Sequence, residues 1–312
     1  MSENTKIEWC DHTFNPWTGC TKVSPGCDHC YAEGWSKRAG NKVGKWGPGA
    51  PRVRTTPANW AKPVKWQANA AAFMAEHGRR QRVFCASLAD VFDNEVPKEW
   101  RHELFILISE TPDIDWLLLT KRIGNVQAML PVWWEDPTAW ACGSPMGNVW
   151  LGATITSQAE ADRDIPKLLA VPARVRFLSM EPLLGLVDLE RPRPGPDLDQ
   201  GGGHKICQPW LIQSGIDWVI VGGESGPGAR PMHPDWARSL RDQCASAGVP
   251  FLFKQWGEWI PASQSAAARL ANGYAPIQEF DHLDGHRMHR IGKKGAGRLL
   301  DGVEHNGFPG GE

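Results

Sequence analysis

The 312-residue chain contains no run of eighteen apolar residues, so no segment reads as a membrane-spanning helix. Its first residues, Met1-Ser2-Glu3-Asn4-Thr5-Lys6, lack a basic start followed by an apolar stretch, so nothing there marks secretion. The expectation is a soluble protein that stays in the cytoplasm where it is made and makes no membrane contact. Without a secretory signal, eight cysteines are not a disulfide framework: Cys85, Cys142, Cys207 and Cys244 are scattered singly and read as free thiols. The net charge of -1 excludes a generally basic protein. Tyrosine is scarce, two against seventeen tryptophans, but many tryptophans must be core, so the imbalance excludes nothing.

Acidic residues are missing from one long interval. Between Glu33 and Glu76 there are none, while Lys37, Arg38, Lys42, Lys45, Arg52, Arg54, Lys62 and Lys65 alternate with Trp46, Trp60 and Trp66. Cations interleaved with flat aromatic rings suit a phosphate backbone and unstacked bases. A second acid-free patch, His286 to Arg298, carries Arg287, Arg290, Lys293, Lys294 and Arg298. The competing reading of both is a solvated basic loop.

What the chain does have is three cysteines within eleven residues, Cys20, Cys27 and Cys30. Three thiolates on one loop can hold three irons of a [4Fe-4S] cluster and leave the fourth iron open. The alternative is a structural zinc knuckle, which needs a fourth ligand; Cys10, His12 and His29 are the candidates.

From about residue 80 short apolar runs alternate with amphipathic segments, the pattern of repeated βα units and a parallel sheet. Strands are expected at 83–87, 116–120, 149–154, 175–179, 218–222 and 250–254, with a first strand near Thr13 to Trp17. Helices are expected at 97–109, 123–130, 158–169, 234–247 and 69–76, and another starting at Tyr31. The fold class is α/β, a full or partial (β/α) barrel with parallel strands over 1–259 and the cysteine loop after the first strand. It carries a basic, Trp-containing insertion at about 37–66 and a Pro/Gly-rich one at about 188–215. A Gly-rich basic tail, 260–312, follows. Chemistry in such folds sits at the C-terminal ends of strands. Those ends here read Ser87-Leu88-Ala89-Asp90, Thr120-Lys121-Arg122, Thr154-Ile155-Thr156, Ser179-Met180-Glu181-Pro182, Gly222-Gly223-Glu224-Ser225 and Lys254-Gln255-Trp256.

The cysteine loop followed by a βα barrel resembles the radical S-adenosylmethionine (SAM) superfamily, and more closely a family of phage and prophage proteins assigned to it. The resemblance rests on Asn15-Pro16-Trp17-Thr18-Gly19-Cys20, Ser24-Pro25-Gly26-Cys27, Cys30-Tyr31-Ala32, Asp90-Val91-Phe92-Asp93 and Leu119-Thr120-Lys121-Arg122. It continues through Ser179-Met180-Glu181-Pro182-Leu183, Gly222-Gly223-Glu224-Ser225-Gly226, Phe253-Lys254-Gln255-Trp256-Gly257, Gly292-Lys293-Lys294 and Gly297-Arg298-Leu299-Leu300-Asp301-Gly302. One departure is the first cysteine gap, six residues here where the superfamily's usual spacing has three.

The resemblance implies that Cys20, Cys27 and Cys30 ligate a [4Fe-4S] cluster, and that SAM binds the open iron and is cleaved reductively by an external electron donor to a 5′-deoxyadenosyl radical. By position, Asp90, Thr154, Ser179 and Glu181 would hydrogen-bond the ribose or amino group of SAM, and the Gly222-Gly223 turn would approach the adenine. Helix caps and interior polar contacts are the competing roles. Lys121, Arg122, Lys254 and Gln255 would meet an anionic or base-like substrate, with salt bridges to rim carboxylates as the alternative. The expected substrate is DNA or a nucleotide, specifically an amino-acid-modified thymidine isomerised in phage DNA, so the host cytoplasm is the expected place of action. A pyrimidine photoproduct lyase and a non-catalytic zinc-stabilised nucleic-acid-binding protein are the alternatives.

Overall fold

The structure is a computed structural model that describes residues 3–40, 43–135, 147–190, 212–266 and 277–310. Cys142, Cys207 and positions 191–211 of the Pro/Gly-rich insertion lie outside them. Seven strands follow one another in a single sheet, His12–Phe14, Gln81–Cys85, Ile114–Thr120, Val149–Thr154, Val175–Met180, Trp218–Gly222 and Phe251–Gln255. The fold is therefore an α/β partial barrel with parallel strands. Val149–Thr154 and Trp218–Gly222 are buried at every position, as continuous apolar strands covered on both faces must be. Among the described residues no helix is long and apolar enough to cross a membrane.

The chain divides into two compact units. The first comprises Met1–Thr154 and Ala170–Arg176 and holds the first four strands. The expected strand from Thr13 to Trp17 is cut in two, because Pro16 has no N–H to give a ladder; His12–Phe14 stays in the main sheet and Trp17–Thr18 pairs with Val53–Arg54. Helix Lys98–Ser109 buries Arg101, Leu104, Phe105, Leu107 and Ile108, a stripe at helical spacing that faces the core. Much of the basic tract is also structural. Arg52 forms a buried ion pair with Asp93 at 2.7 Å, and Trp66 is buried with its ring stacked on His12. Arg54 is bonded to Glu103 and lies over the Trp60 ring. Those residues support the fold and are not free to meet a polynucleotide; Lys37, Arg38 and Lys65 remain exposed.

The second unit comprises Ile155–Leu169 and Phe177–Glu312 and holds the last two strands and all but the first two residues of Val175–Met180. Its tail is folded. Strands Trp259–Pro261, Arg287–Arg290 and Gln278–Asp281 make a small antiparallel sheet. The last residues return along Phe251–Gln255, where Phe253 N donates to His305 O at 3.0 Å and Gly307 N to Phe251 O at 3.0 Å. An exposed strand edge is a template for aggregation, and this segment occupies it.

Arg52→Met leaves Asp93 buried without its closest cation, and breaking a buried pair from one side costs on the order of 3 kcal/mol. A loss of that size is expected in urea denaturation followed by tryptophan fluorescence.

Candidate metal and cofactor site

In the first unit the cysteines are placed by the backbone around them. Gly19, at a φ of +101°, lets the chain leave Trp17–Thr18 close against Lys45, a turn that a side chain would obstruct. Cys20 O accepts from Gly47 N at 3.0 Å, and Gly19 N donates to Leu88 O at 3.2 Å, which ties this limb to the loop after Gln81–Cys85. Cys27 ends a short 3-10 turn, Pro25–Cys27, whose N-cap Ser24 accepts from Gly26 N at 3.2 Å. Cys30 is the N-cap position of helix Tyr31–Ala39, and Tyr31 donates its hydroxyl to Ser87 O at 2.6 Å. All three are free thiols.

Beneath Cys20 lies a network of buried charges. Arg122 donates from Nη1 to Cys20 Sγ at 3.4 Å and from Nη2 to Thr21 O at 2.6 Å. Its guanidinium is 3.3 Å from Asp90 and 3.7 Å from Asp93. Asp93 is bridged in turn by Arg52, which donates from Nη2 to Thr21 Oγ1 at 2.7 Å. Burial, with Asp90 beside it, pushes the Cys20 thiol up to about 11, and Arg122 opposes that rise. Burial works against the Arg122 charge, yet Asp90, Cys20 and Asp93 together hold its pKa above the ordinary arginine value.

Two sequence expectations change here. Arg122 forms the rim salt bridge that was its alternative role, because two carboxylates and a thiol hold its fork. Asp90 accepts from Thr120 Oγ1 at 2.8 Å, Phe92 N at 2.9 Å and Lys121 N at 3.1 Å as well as meeting Arg122, so its oxygens are already in use. Lys121 is half-buried after this bonded turn. Thr154 is different: its buried Oγ1 has no hydrogen-bond partner among the described residues, which a buried polar atom ordinarily requires.

The second unit shows the same division. Lys254 pairs with Glu181 through Oε2 at 3.1 Å. A Cβ on Gly222 would stand 2.3 Å from Glu181 Oε1, and one on Gly223 only 1.9 Å from Trp256 O. These glycines permit a close approach within their own fold. Ser179 is buried near the end of its strand. Gln255 donates to Ser225 Oγ at 3.3 Å, while its buried Oε1 has no partner among the described residues.

For the zinc alternative, a tetrahedral shell with Zn–S bonds of about 2.3 Å needs sulfurs roughly 3.8 Å apart. Among the described residues the three cysteines do not form a group with ligand atoms all within 4.8 Å, whereas His233, Asp235, Asp284 and His286 do. Of the fourth ligands considered, His12 has both ring nitrogens engaged, with Gln81 Oε1 at 3.0 Å and Asn4 N at 3.2 Å.

Sequence reasoning missed the histidine cluster, whose only signal is His233-Pro234-Asp235 and Asp284-Gly285-His286, far apart in the chain. His233 caps helix Pro234–Ala247: its Nδ1 accepts from Asp235 N at 3.1 Å, so Nε2 carries the proton that it gives to Asp284 at 2.8 Å. His286 lies between the two carboxylates, 3.2 Å from Asp284 and 3.8 Å from Asp235. The His286 backbone N–H and the two imidazoles hold the Asp284 carboxyl down to about 2. This is a helix cap held by hydrogen bonds, with no free His233 lone pair for a cation.

The chain matches, over residues 4–309, the model of a family described as a protein of unknown function (DUF5131), and it belongs to that family. No curated protein matches it. Among solved structures it is similar to a spore photoproduct lyase variant with bound AdoMet and dinucleoside spore photoproduct, at 10% identity and a TM-score of 0.38 over 92% of this chain and 70% of that one. A second spore photoproduct lyase variant is similar at 11% identity and a TM-score of 0.39, with the same coverage.

In the metal-free chain, iodoacetamide labelling of Cys20 is expected to rise only as pH approaches 11, above the range of an ordinary thiol near about 8.5. Peptide mass spectrometry across a pH series measures this; labelling half complete near pH 8 would contradict the buried, carboxylate-flanked setting.

Proposed function

We propose that the chain is a radical SAM enzyme that acts on a base of a nucleic acid. The observation that carries this reading is the cysteine loop: three free thiols within eleven residues, following the first strand of a parallel α/β sheet, with one sulfur already held by an arginine. The donor set fits a [4Fe-4S] cluster with Cys20, Cys27 and Cys30 as its ligands. When bound, the cluster supplies the electron that cleaves SAM to methionine and a 5′-deoxyadenosyl radical able to take a hydrogen atom from a substrate.

The protein's own part is to hold and orient. Asp90, Asp93 and Arg52 fix Arg122, and Arg122 with Gly47 fixes the Cys20 limb. Thr154 Oγ1 and Gln255 Oε1 offer buried oxygens that a polar ligand would satisfy, so we assign the first to SAM and the second to the substrate base. Ser179 is retained as a SAM contact, and Lys121 as a substrate contact. Glu181, Lys254, Gly222 and Gly223 shape the ends of their strands.

A polyanionic partner is supported by exposed Lys37, Arg38 and Lys65 in one unit and by exposed Lys293 and Lys294 in the other. The finer reaction proposed is isomerisation of an amino-acid-modified thymidine in phage DNA, which needs a carbon-hydrogen bond next to nitrogen to be broken. It rests on the sequence resemblance.

Anaerobic reconstitution should give a brown protein with about four irons per chain and absorbance near 400 nm. With dithionite as electron donor it should convert SAM to 5′-deoxyadenosine, and Cys20→Ala, Cys27→Ala or Cys30→Ala should each abolish this. A colourless protein retaining zinc would overturn the enzyme reading. Nucleoside mass spectrometry of treated DNA then tests the substrate: a rearranged modified thymidine supports the isomerase, restored thymidines from photoproducts mark a lyase, and no change in any thymidine species sinks the DNA reading.

A further inference from the structure

Arg122 stands at a strand end, where a substrate contact was expected, but its guanidinium is turned onto the cysteine loop. Nη1 is 3.4 Å from Cys20 Sγ and Nη2 is 2.6 Å from Thr21 O. Its backbone is held as well: Arg122 N donates to Thr120 Oγ1 at 2.8 Å, and that hydroxyl donates to Asp90. Neither Cys27 nor Cys30 has such a donor on its sulfur among the described residues.

We propose that Arg122 is a positioning residue that sets Cys20 apart from the other two cysteines, donating to its sulfur and raising the reduction potential of the cluster that the three would hold. The proposal rests on the radical SAM reading above.

The argument is electrostatic. The buried charges near Cys20 are the carboxylates of Asp90 and Asp93 and the guanidinium groups of Arg52, Arg122 and Arg101, the last bonded to the carbonyls of Val91 and Asp93. A Cys20 thiolate adds negative charge in a buried place, and of these cations Arg122 is the one whose N–H is directed at that sulfur. Reduction adds further negative charge to the cluster and its sulfurs. A donor already aimed at one of them stabilises the reduced state more than the oxidised state, and hydrogen bonds to ligand sulfurs are an established control of cluster potential. Arginine suits the task because its planar fork reaches the sulfur and the next carbonyl together, whereas a lysine ammonium is a point charge without that fork.

The network also predicts a sign. Removing the donor should make reduction harder. Removing the Asp90 charge, which faces the same guanidinium, should make it easier.

The test uses the full chain, reconstituted anaerobically without SAM, as wild type, Arg122→Gln, Arg122→Lys and Asp90→Asn. Iron per chain and the midpoint of a redox titration followed near 400 nm and by electron paramagnetic resonance are the readouts. The expected result is a more negative midpoint for Arg122→Gln, an intermediate one for Arg122→Lys, and a more positive one for Asp90→Asn. If Arg122→Gln does not fold, the opposite shifts of Arg122→Lys and Asp90→Asn carry the test. Wild-type midpoints in both Arg122 variants, or shifts of the same sign for arginine and aspartate variants, would overturn the proposal while leaving the radical SAM reading intact. A wild-type chain that takes up no iron overturns that reading, and this proposal with it.

Discussion

The first unit depends on the burial of two carboxylates. Asp90 and Asp93 lie in the loop after Gln81–Cys85, almost wholly withdrawn from water, where an unpaired charge would be prohibitive. Arg52 and Arg122 reach them from opposite directions in the chain, and both arginines then grip Thr21, one at its hydroxyl and the other at its carbonyl. The residue after Cys20 is therefore fixed by the same interactions that make the buried acids tolerable. A loop that must present a sulfur in one place cannot rely on its own short backbone. Here the order comes from charges that have nowhere else to go.

The sheet was legible because hydrophobic strands buried on both faces leave an unmistakable pattern. Val149–Thr154 and Trp218–Gly222 coincide with the expected spans, and the helices between strands lie close to the periodicity. The departures have local causes. Pro16 interrupts the first strand because it lacks an N–H. The tail loses the βα rhythm because it forms a small antiparallel sheet and then lies along Phe251–Gln255, and an edge cover made of turns and single bridges has no period to detect.

The candidate site was legible only in part, for a different reason. Cysteine spacing is a local signal, and it singled out the loop. The partners of those cysteines are not local: Arg122 is 102 residues from Cys20, and Arg52 is 41 from Asp93. Such pairs cannot be read from spacing, so cations that the fold consumes look the same in sequence as cations that face solvent. The acid-free tract shows the consequence. Its lack of acids reads as a surface for phosphate, yet Arg52 finds its acid at Asp93 and Arg54 finds its own at Glu103. Locally missing charge is supplied from elsewhere in the chain.

Polar strand ends in an α/β sheet have two uses, and hydrogen-bond accounting separates them. Asp90 has its oxygens taken by Thr120, two backbone amides and Arg122, and Glu181 is held by Lys254. Asp90 is scaffold in this sense: a ligand could engage it only by displacing partners that the fold already needs, whereas Glu181 meets Lys254 through one oxygen. Thr154 Oγ1 and Gln255 Oε1 are as deeply placed but unsatisfied, and a buried oxygen without a donor carries a desolvation penalty of about 1–3 kcal/mol. A buried water or a polar ligand would remove that deficit. Residue type and position nominate both kinds of side chain equally, and only the partners found in the folded chain tell them apart.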